Sequence, residues 1–186
     1  MISRLAMTGT AMAALLSLAA CGDTGGNETT PTSAPAKEAA GKQTIGAGLG
    51  DASKFGAAVK ATGLDGTLAG IGPYTVLVPN DAAFDKLPAG AVDALMKDDA
   101  RAELTGVLTY HILPGTILAA DIGKAIDVGK GKTLLATMGG GTLTATRDGN
   151  AIVIADAAGT KARVTGAEEQ KSNGVIHRID AVLMPS

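Results

Sequence analysis

The most constraining feature of this 186-residue sequence is a change of hydrophobic period along the chain. In residues 51–62 the side chains of Phe55, Ala58, Val59 and Thr62 recur at i, i+3, i+4 and i+7, and a glycine follows, which predicts a helix. Residues 99–110 show similar spacing. From about residue 133 the pattern becomes strand-like. Asp148-Gly149, a dipeptide typical of tight hairpins, separates strand-like runs at 142–147 and 150–155. Helices first and strands later predict a single α+β domain.

A strand and a helix are predicted side by side in the first half. Residues 74–78 are rich in β-branched and aromatic side chains, and Pro79 ends the run. Asn80 is a typical N-cap residue, and Asp81 suits the positive end of a helix predicted over 81–87. Pro114 directs the chain into extended geometry. The other expected elements are a helix at 91–97, strands at 161–165 and 174–184, and a loop at 137–141.

The N-terminus is expected to be an export signal rather than part of the fold. Arg4 gives residues 1–20 a positive start, and the apolar stretch that follows is too short to span a bilayer. Leu18-Ala19-Ala20-Cys21 resembles the lipobox of bacterial lipoproteins. A thiol there accepts a diacylglyceryl group, and small residues before it admit the peptidase. Cys21 is the only cysteine, so we expect it to become a lipidated N-terminus.

Residues 21–43 are rich in Gly, Thr, Pro, Ala and Ser without apolar period, which predicts a flexible tether. The domain is expected to occupy 44–186. A lone cysteine excludes an internally disulfide-stapled scaffold. The formal net charge is −2, and only four side chains are aromatic, so neither a basic cluster nor a stacking platform for nucleic acid is expected.

The two histidines, His111 and His177, are the first candidates for chemistry. A metal site would require more ligands near them. A hydrolase would require an activated serine, and neither Ser53 nor Ser172 stands in a nucleophile motif. Both histidines are therefore expected to be structural, with no cofactor.

Three blocks, taken in order, resemble the fasciclin (FAS1) domain family. They are TVLVPNDAAFDKLP at 75–88, LTYHILPG at 108–115 and NGVIHRIDAVLMP at 173–185. The resemblance implies a wedge-shaped β-sandwich with a layer of short helices, and a mainly packing role for the Tyr-His pair. The motif residues that it marks as structural are Asn80, Asp81, Phe84, Tyr110, His111, Pro114, Gly174 and His177.

The family resemblance also marks the segment after the Tyr-His pair as a candidate contact for surface partners. Its apolar side chains fit either a contact surface or the core: Ile112, Leu113, Ile117, Leu118 and Ile122. A small basic stretch follows, with Lys124, Lys130 and Lys132, and it fits either a solvated loop or a contact with acidic lipid or polysaccharide.

The resemblance implies adhesion or matrix contact rather than catalysis. We expect an exported protein, lipid-anchored in a bacterial envelope (outer membrane and periplasm, or cell surface), that makes noncovalent contact with a surface protein or polysaccharide. Two alternatives remain from other classes: a periplasmic carrier or accessory subunit that holds a small apolar ligand in a cleft, and a hydrolase.

Overall fold

The structure is a computed structural model and describes residues 41–50 and 53–185. Within these ranges short helices come first and strands dominate the second half. The helices are α1 (Ile45–Gly48), α2 (Lys54–Thr62), α3 (Leu64–Ala69), α4 (Asp81–Phe84), α5 (Ala91–Leu95), α6 (Arg101–Tyr110) and α7 (Ala119–Val128). The strands are β1 (Tyr74–Pro79), β2 (Ile112–Pro114), β3 (Lys132–Ala136), β4 (Thr142–Asp148), β5 (Ala151–Ala155), β6 (Lys161–Lys171) and β7 (Gly174–Ile179).

The seven strands form one sheet in the order β2-β1-β7-β6-β5-β4-β3. All pairs are antiparallel except β1 with β7, which are parallel and join distant parts of the chain. The long strand β6 shifts register between Thr165 and Glu169. An irregularity of this kind bends a strand locally. The sheet nearly closes, because the Met138 amide beyond β3 donates to the Ile112 carbonyl of β2 at 2.8 Å.

The described residues form two large apolar cores and a smaller cluster at Ala83, Val107 and Val182. The interior core lies between β1 and β7 on one side and β4 and β5 on the other, where Leu77 and Ile179 meet Leu143 and Ile154. Ile126 of α7 packs into the same core. The helix core lies on the opposite side of β1 and β7, where alternate strand residues pack under α1, α2, α3 and α6. Because neighbouring strand residues point to opposite faces, β1 serves both cores. The α+β class and the β-sandwich with its helix layer are confirmed.

Several predicted boundaries are also confirmed. Helix α2 begins after Ser53, whose hydroxyl accepts from the Gly56 amide at 3.0 Å, and it ends at Gly63 in the left-handed conformation. Residues 51 and 52 of that prediction lie outside the described residues. The Asn80 side chain accepts from the Ala83 amide at 2.8 Å and caps α4 as expected. Helix α6 and the Asp148-Gly149 hairpin also form where predicted.

Several predicted boundaries are corrected, and some helices were missed. Helix α4 ends at Phe84 rather than residue 87, because the chain turns there through successive short-range hydrogen bonds. Strand β7 ends at Ile179 rather than 184, although 181–183 stay buried. Strand β6 continues to Lys171 instead of 165, because its polar second half pairs with β7. Helices α1, α3 and α7 were not predicted.

Candidate functional site

The Tyr-His pair lies at the end of α6, between the two cores. The His111 ring is fully buried, its Nδ1–H donates to the Val107 carbonyl at 2.8 Å, and its Nε2 accepts from the Leu183 amide at 3.1 Å. Phe55 meets the ring edge-on at 5.8 Å between centroids. Burial lowers the pKa of His111 to about 4, against the opposing effects of the Val107 carbonyl and of Asp156. The histidine is therefore a neutral structural bridge.

Tyr110 holds the loop at 137–141. Its ring packs against Gly141, where a Cβ would collide with it, and its hydroxyl donates to the Thr142 carbonyl at 3.3 Å. Burial raises the pKa of this phenol. Both side chains of the pair are therefore packed within the domain.

His177 and Thr75 together fix the segment between β2 and α7. The Nε2–H of His177 donates to the Ile117 carbonyl at 2.8 Å, and the Ile117 amide donates to the Thr75 hydroxyl at 2.8 Å. The same hydroxyl donates to the Gly115 carbonyl at 2.7 Å. Among the described atoms, Nδ1 of His177 has no hydrogen-bond partner. The buried side chains of His177 and Thr75 therefore hold the backbone of Gly115 and Ile117 in place.

The candidate contact segment itself contributes mainly to the core. Ile112, Leu113 and Ile122 are each at most 2 % exposed, so these three side chains do not form a contact surface. Ile117 and Leu118 are half-buried at the start of α7. The Ala119 amide there donates to the Glu168 carboxylate at 2.8 Å, which ties α7 to β6. The exposed part of this region is the far end of α7 and the turn at Lys130 that leads into β3.

The remaining motif residues also stabilise the fold. The Asp81 carboxylate accepts from the Lys54 amide at 3.0 Å, which links α4 to the start of α2. Phe84 packs against the helix core, and Pro114 ends β2 at the surface. Gly174 begins β7 at a φ of 150°, where a Cβ would collide with the Tyr74 carbonyl oxygen.

Sequence reasoning missed two polar side chains that bind several backbone groups. Asn173 accepts from the Ile45 amide and donates to the Leu68 and Gly70 carbonyls, each at 2.8 Å. Asp156 is buried and accepts from the Thr160 amide at 2.8 Å and the Met184 amide at 3.0 Å. Asp156 stands in an Asp-x-x-Gly-Thr turn, a local signal that could have identified it; the long-range contacts of Asn173 had none.

An apolar crevice opens between α2, α5 and α6. Phe55, Leu95 and Leu104 line it together with His111, and its cavity volume is about 20 Å³. A cavity needs roughly 10–15 Å³ to hold one water molecule. This crevice therefore admits a molecule about the size of water. A larger cleft of about 240 Å³ lies between α1, α2 and α3.

Across the described ranges, 41–50 and 53–185, no three His, Cys, Asp or Glu side chains are grouped so that they could hold a metal ion. No helix in the described part of the chain has the length and apolar character needed to cross a membrane. The predicted signal at 1–20, Cys21 and nearly all of the predicted tether lie outside the described residues.

Comparison with known proteins decides the family. A sequence model of the fasciclin domain matches residues 50–185. The chain belongs to the fasciclin domain family. Its fasciclin domain is similar to Protein sll1483 of Synechocystis sp., with 38 % identity over 164 residues that cover 85 % of this chain and 83 % of that protein.

Two other similarities are to a mycobacterial protein and to a solved insect structure. Cell surface glycolipoprotein MPB83 of Mycobacterium bovis is 34 % identical over 114 residues, which cover 61 % of this chain and 44 % of that protein. The chain thus spans less than half the length of MPB83. The FAS1 domain pair of the insect cell adhesion molecule Fasciclin I matches with a TM-score of 0.55 and 21 % identity, over 70 % of this chain and 44 % of that one. This structural match supports the fold.

Proposed function

We propose that this protein is a lipid-anchored bacterial envelope protein whose fasciclin domain acts by noncovalent contact with another surface, a protein or a polysaccharide. The observation that carries the proposal is the order of its parts: Leu18-Ala19-Ala20-Cys21 stands 29 residues before the fasciclin match at residue 50. A relative, MPB83, is named a cell surface glycolipoprotein, which supports an anchored fasciclin domain.

The chemistry of the anchor follows from the lipobox. Transfer of a diacylglyceryl group to the Cys21 thiol and cleavage before it would leave two or more acyl chains at the new N-terminus. Each buried CH₂ contributes about 0.8 kcal/mol to membrane binding, and two chains suffice for stable anchoring. The domain would then be held at the envelope without a membrane-spanning helix.

Noncovalent action is supported by how the buried polar side chains are used. The hydrogen bonds of His111, His177 and Thr75 described above all go to backbone groups. In the described ranges neither histidine ring is hydrogen-bonded to a serine or a carboxylate. A nucleophile–base pair would require such a contact, so a hydrolase is the less favoured alternative.

Metabolic labelling with a fatty-acid probe tests the anchor. We expect the wild type to be labelled and the Cys21→Ala variant to lose the label, whereas Thr24→Ala, close by in the predicted tether, should keep it. An unlabelled wild type, or a labelled Cys21→Ala variant, would contradict the anchoring proposal. Cross-linking in the native envelope, followed by identification of the attached molecule, would then identify the partner.

A further inference from the structure

The turn between α7 and β3 is a compact, well-bonded surface feature. The Gly129 amide donates to the Ala125 carbonyl at 2.9 Å, and the Gly131 amide donates to the Ile126 carbonyl at 2.8 Å. Lys130 lies between these glycines with a φ of 57°, a left-handed conformation that glycine adopts at lower cost.

Two apolar side chains are exposed on either side of this turn. Val128, at the end of α7, is 84 % exposed, and Leu134, in β3, is 68 % exposed. Val128 follows Lys124 by four residues and shares its side of the helix. Leu134 follows Lys132 by two residues and shares its face of the strand. Each exposed apolar side chain therefore has a lysine beside it.

The charge around the turn is positive. Lys124, Lys130 and Lys132 are exposed, and none of them forms an ion pair with another described residue. The nearby carboxylate of Asp127 is already paired with Arg147 at 3.4 Å. We call Lys124, Val128, Lys130, Lys132 and Leu134 the basic turn.

We propose that the basic turn docks on a bilayer that contains anionic phospholipids. Lysines are attracted to anionic headgroups, and aliphatic side chains beside them insert at the headgroup boundary. The inference rests on the proposed function, in which lipid at Cys21 holds the domain at a membrane. Gly41 follows Cys21 by twenty residues, and even an extended chain of that length reaches only about 70 Å. An anchored domain would stay near the membrane, where a weak contact is sufficient.

Vesicle sedimentation tests this docking without the anchor. The chain from residue 21 onward, carrying Cys21→Ser, is mixed with vesicles of phosphatidylglycerol and phosphatidylcholine, or of phosphatidylcholine alone. Binding is expected to the anionic vesicles and to fall as salt is raised. Removing one lysine should lower the partition coefficient about fivefold, so K130Q/K132Q should lower it about 25-fold.

Matched variants separate the basic turn from general charge. K42Q/K97Q removes the same charge at two exposed lysines elsewhere and should change binding far less. Val128→Ser should weaken binding without changing charge. Thermal unfolding of every variant checks that the fold is kept.

Several results would overturn the docking proposal. They are no binding of the wild type to anionic vesicles, an equal loss in K42Q/K97Q, or binding of an acidic polysaccharide such as dextran sulfate in place of vesicles. Because the assayed chain carries no acyl group, these outcomes leave the labelling test of Cys21 independent.

Discussion

Acid should destabilise the fold through His111. The ring has its ordinary pKa of 6.5 in the unfolded chain, whereas burial lowers the folded value to about 4. Between these values the unfolded chain binds a proton that the folded domain does not. The stability that the neutral His111 ring contributes is therefore fully present above pH 6.5 and is lost as pH falls towards 4. The two pKa values differ by about 2.5, and each pH unit corresponds to about 1.4 kcal/mol, so the loss is about 3 kcal/mol.

Proton NMR gives the direct assay, because the chain has only two histidines. The His177→Gln variant assigns the remaining imidazole signal to His111. We expect that signal to stay in its neutral position until pH approaches 4 or the domain unfolds. A titration midpoint near 6.5 in the folded domain would refute the account of the buried, neutral bridge.

Denaturant unfolding at several pH values gives the energetic counterpart. His111→Phe should be less stable at neutral pH, because the Val107 carbonyl and the Leu183 amide lose their partner. Its free energy of unfolding should nevertheless fall less between pH 6.5 and 4.5 than that of the wild type. Carboxylates contribute equally to both proteins, so equal slopes would exclude the predicted contribution of His111.

Three further substitutions test the polar contacts by denaturant unfolding. Asn173→Ala removes three hydrogen bonds and should cost about 2–4 kcal/mol, whereas Ser172→Ala, at an exposed neighbour, should cost little. Asn80→Ala removes the cap of α4 and should cost about 1 kcal/mol. Thr75→Val leaves the Ile117 amide unpaired and should cost about 2 kcal/mol and speed hydrogen exchange at that amide, whereas the exposed Thr116→Val should do neither.

Local signals predicted the elements whose cause is local. The cap at Asn80, the helix stop at Gly63 and the Asp148-Gly149 hairpin each depend on residues within one turn. Their chemistry is readable in sequence, since a short side chain or a glycine satisfies the backbone at that point.

Features that depend on distant residues could not be predicted in this way. The parallel pairing of β1 with β7 joins segments about one hundred residues apart, and β6 continues through polar residues because β7 supplies its partners. Helix α7 had a signal in the spacing of Leu118, Ile122 and Ile126, but the sequence left Leu118 and Ile122 open between a contact surface and the core. Burial against the interior core, which only the fold reveals, decides between the two interpretations for Ile122.

The intact mass of the protein purified from its native envelope is the decisive measurement of whether lipid at Cys21 anchors the fasciclin domain. We expect a chain that begins at Cys21 and carries the added mass of at least two acyl chains. A chain that retains residues 1–20, or one that begins elsewhere without lipid, would contradict a fasciclin domain anchored by lipid at Cys21.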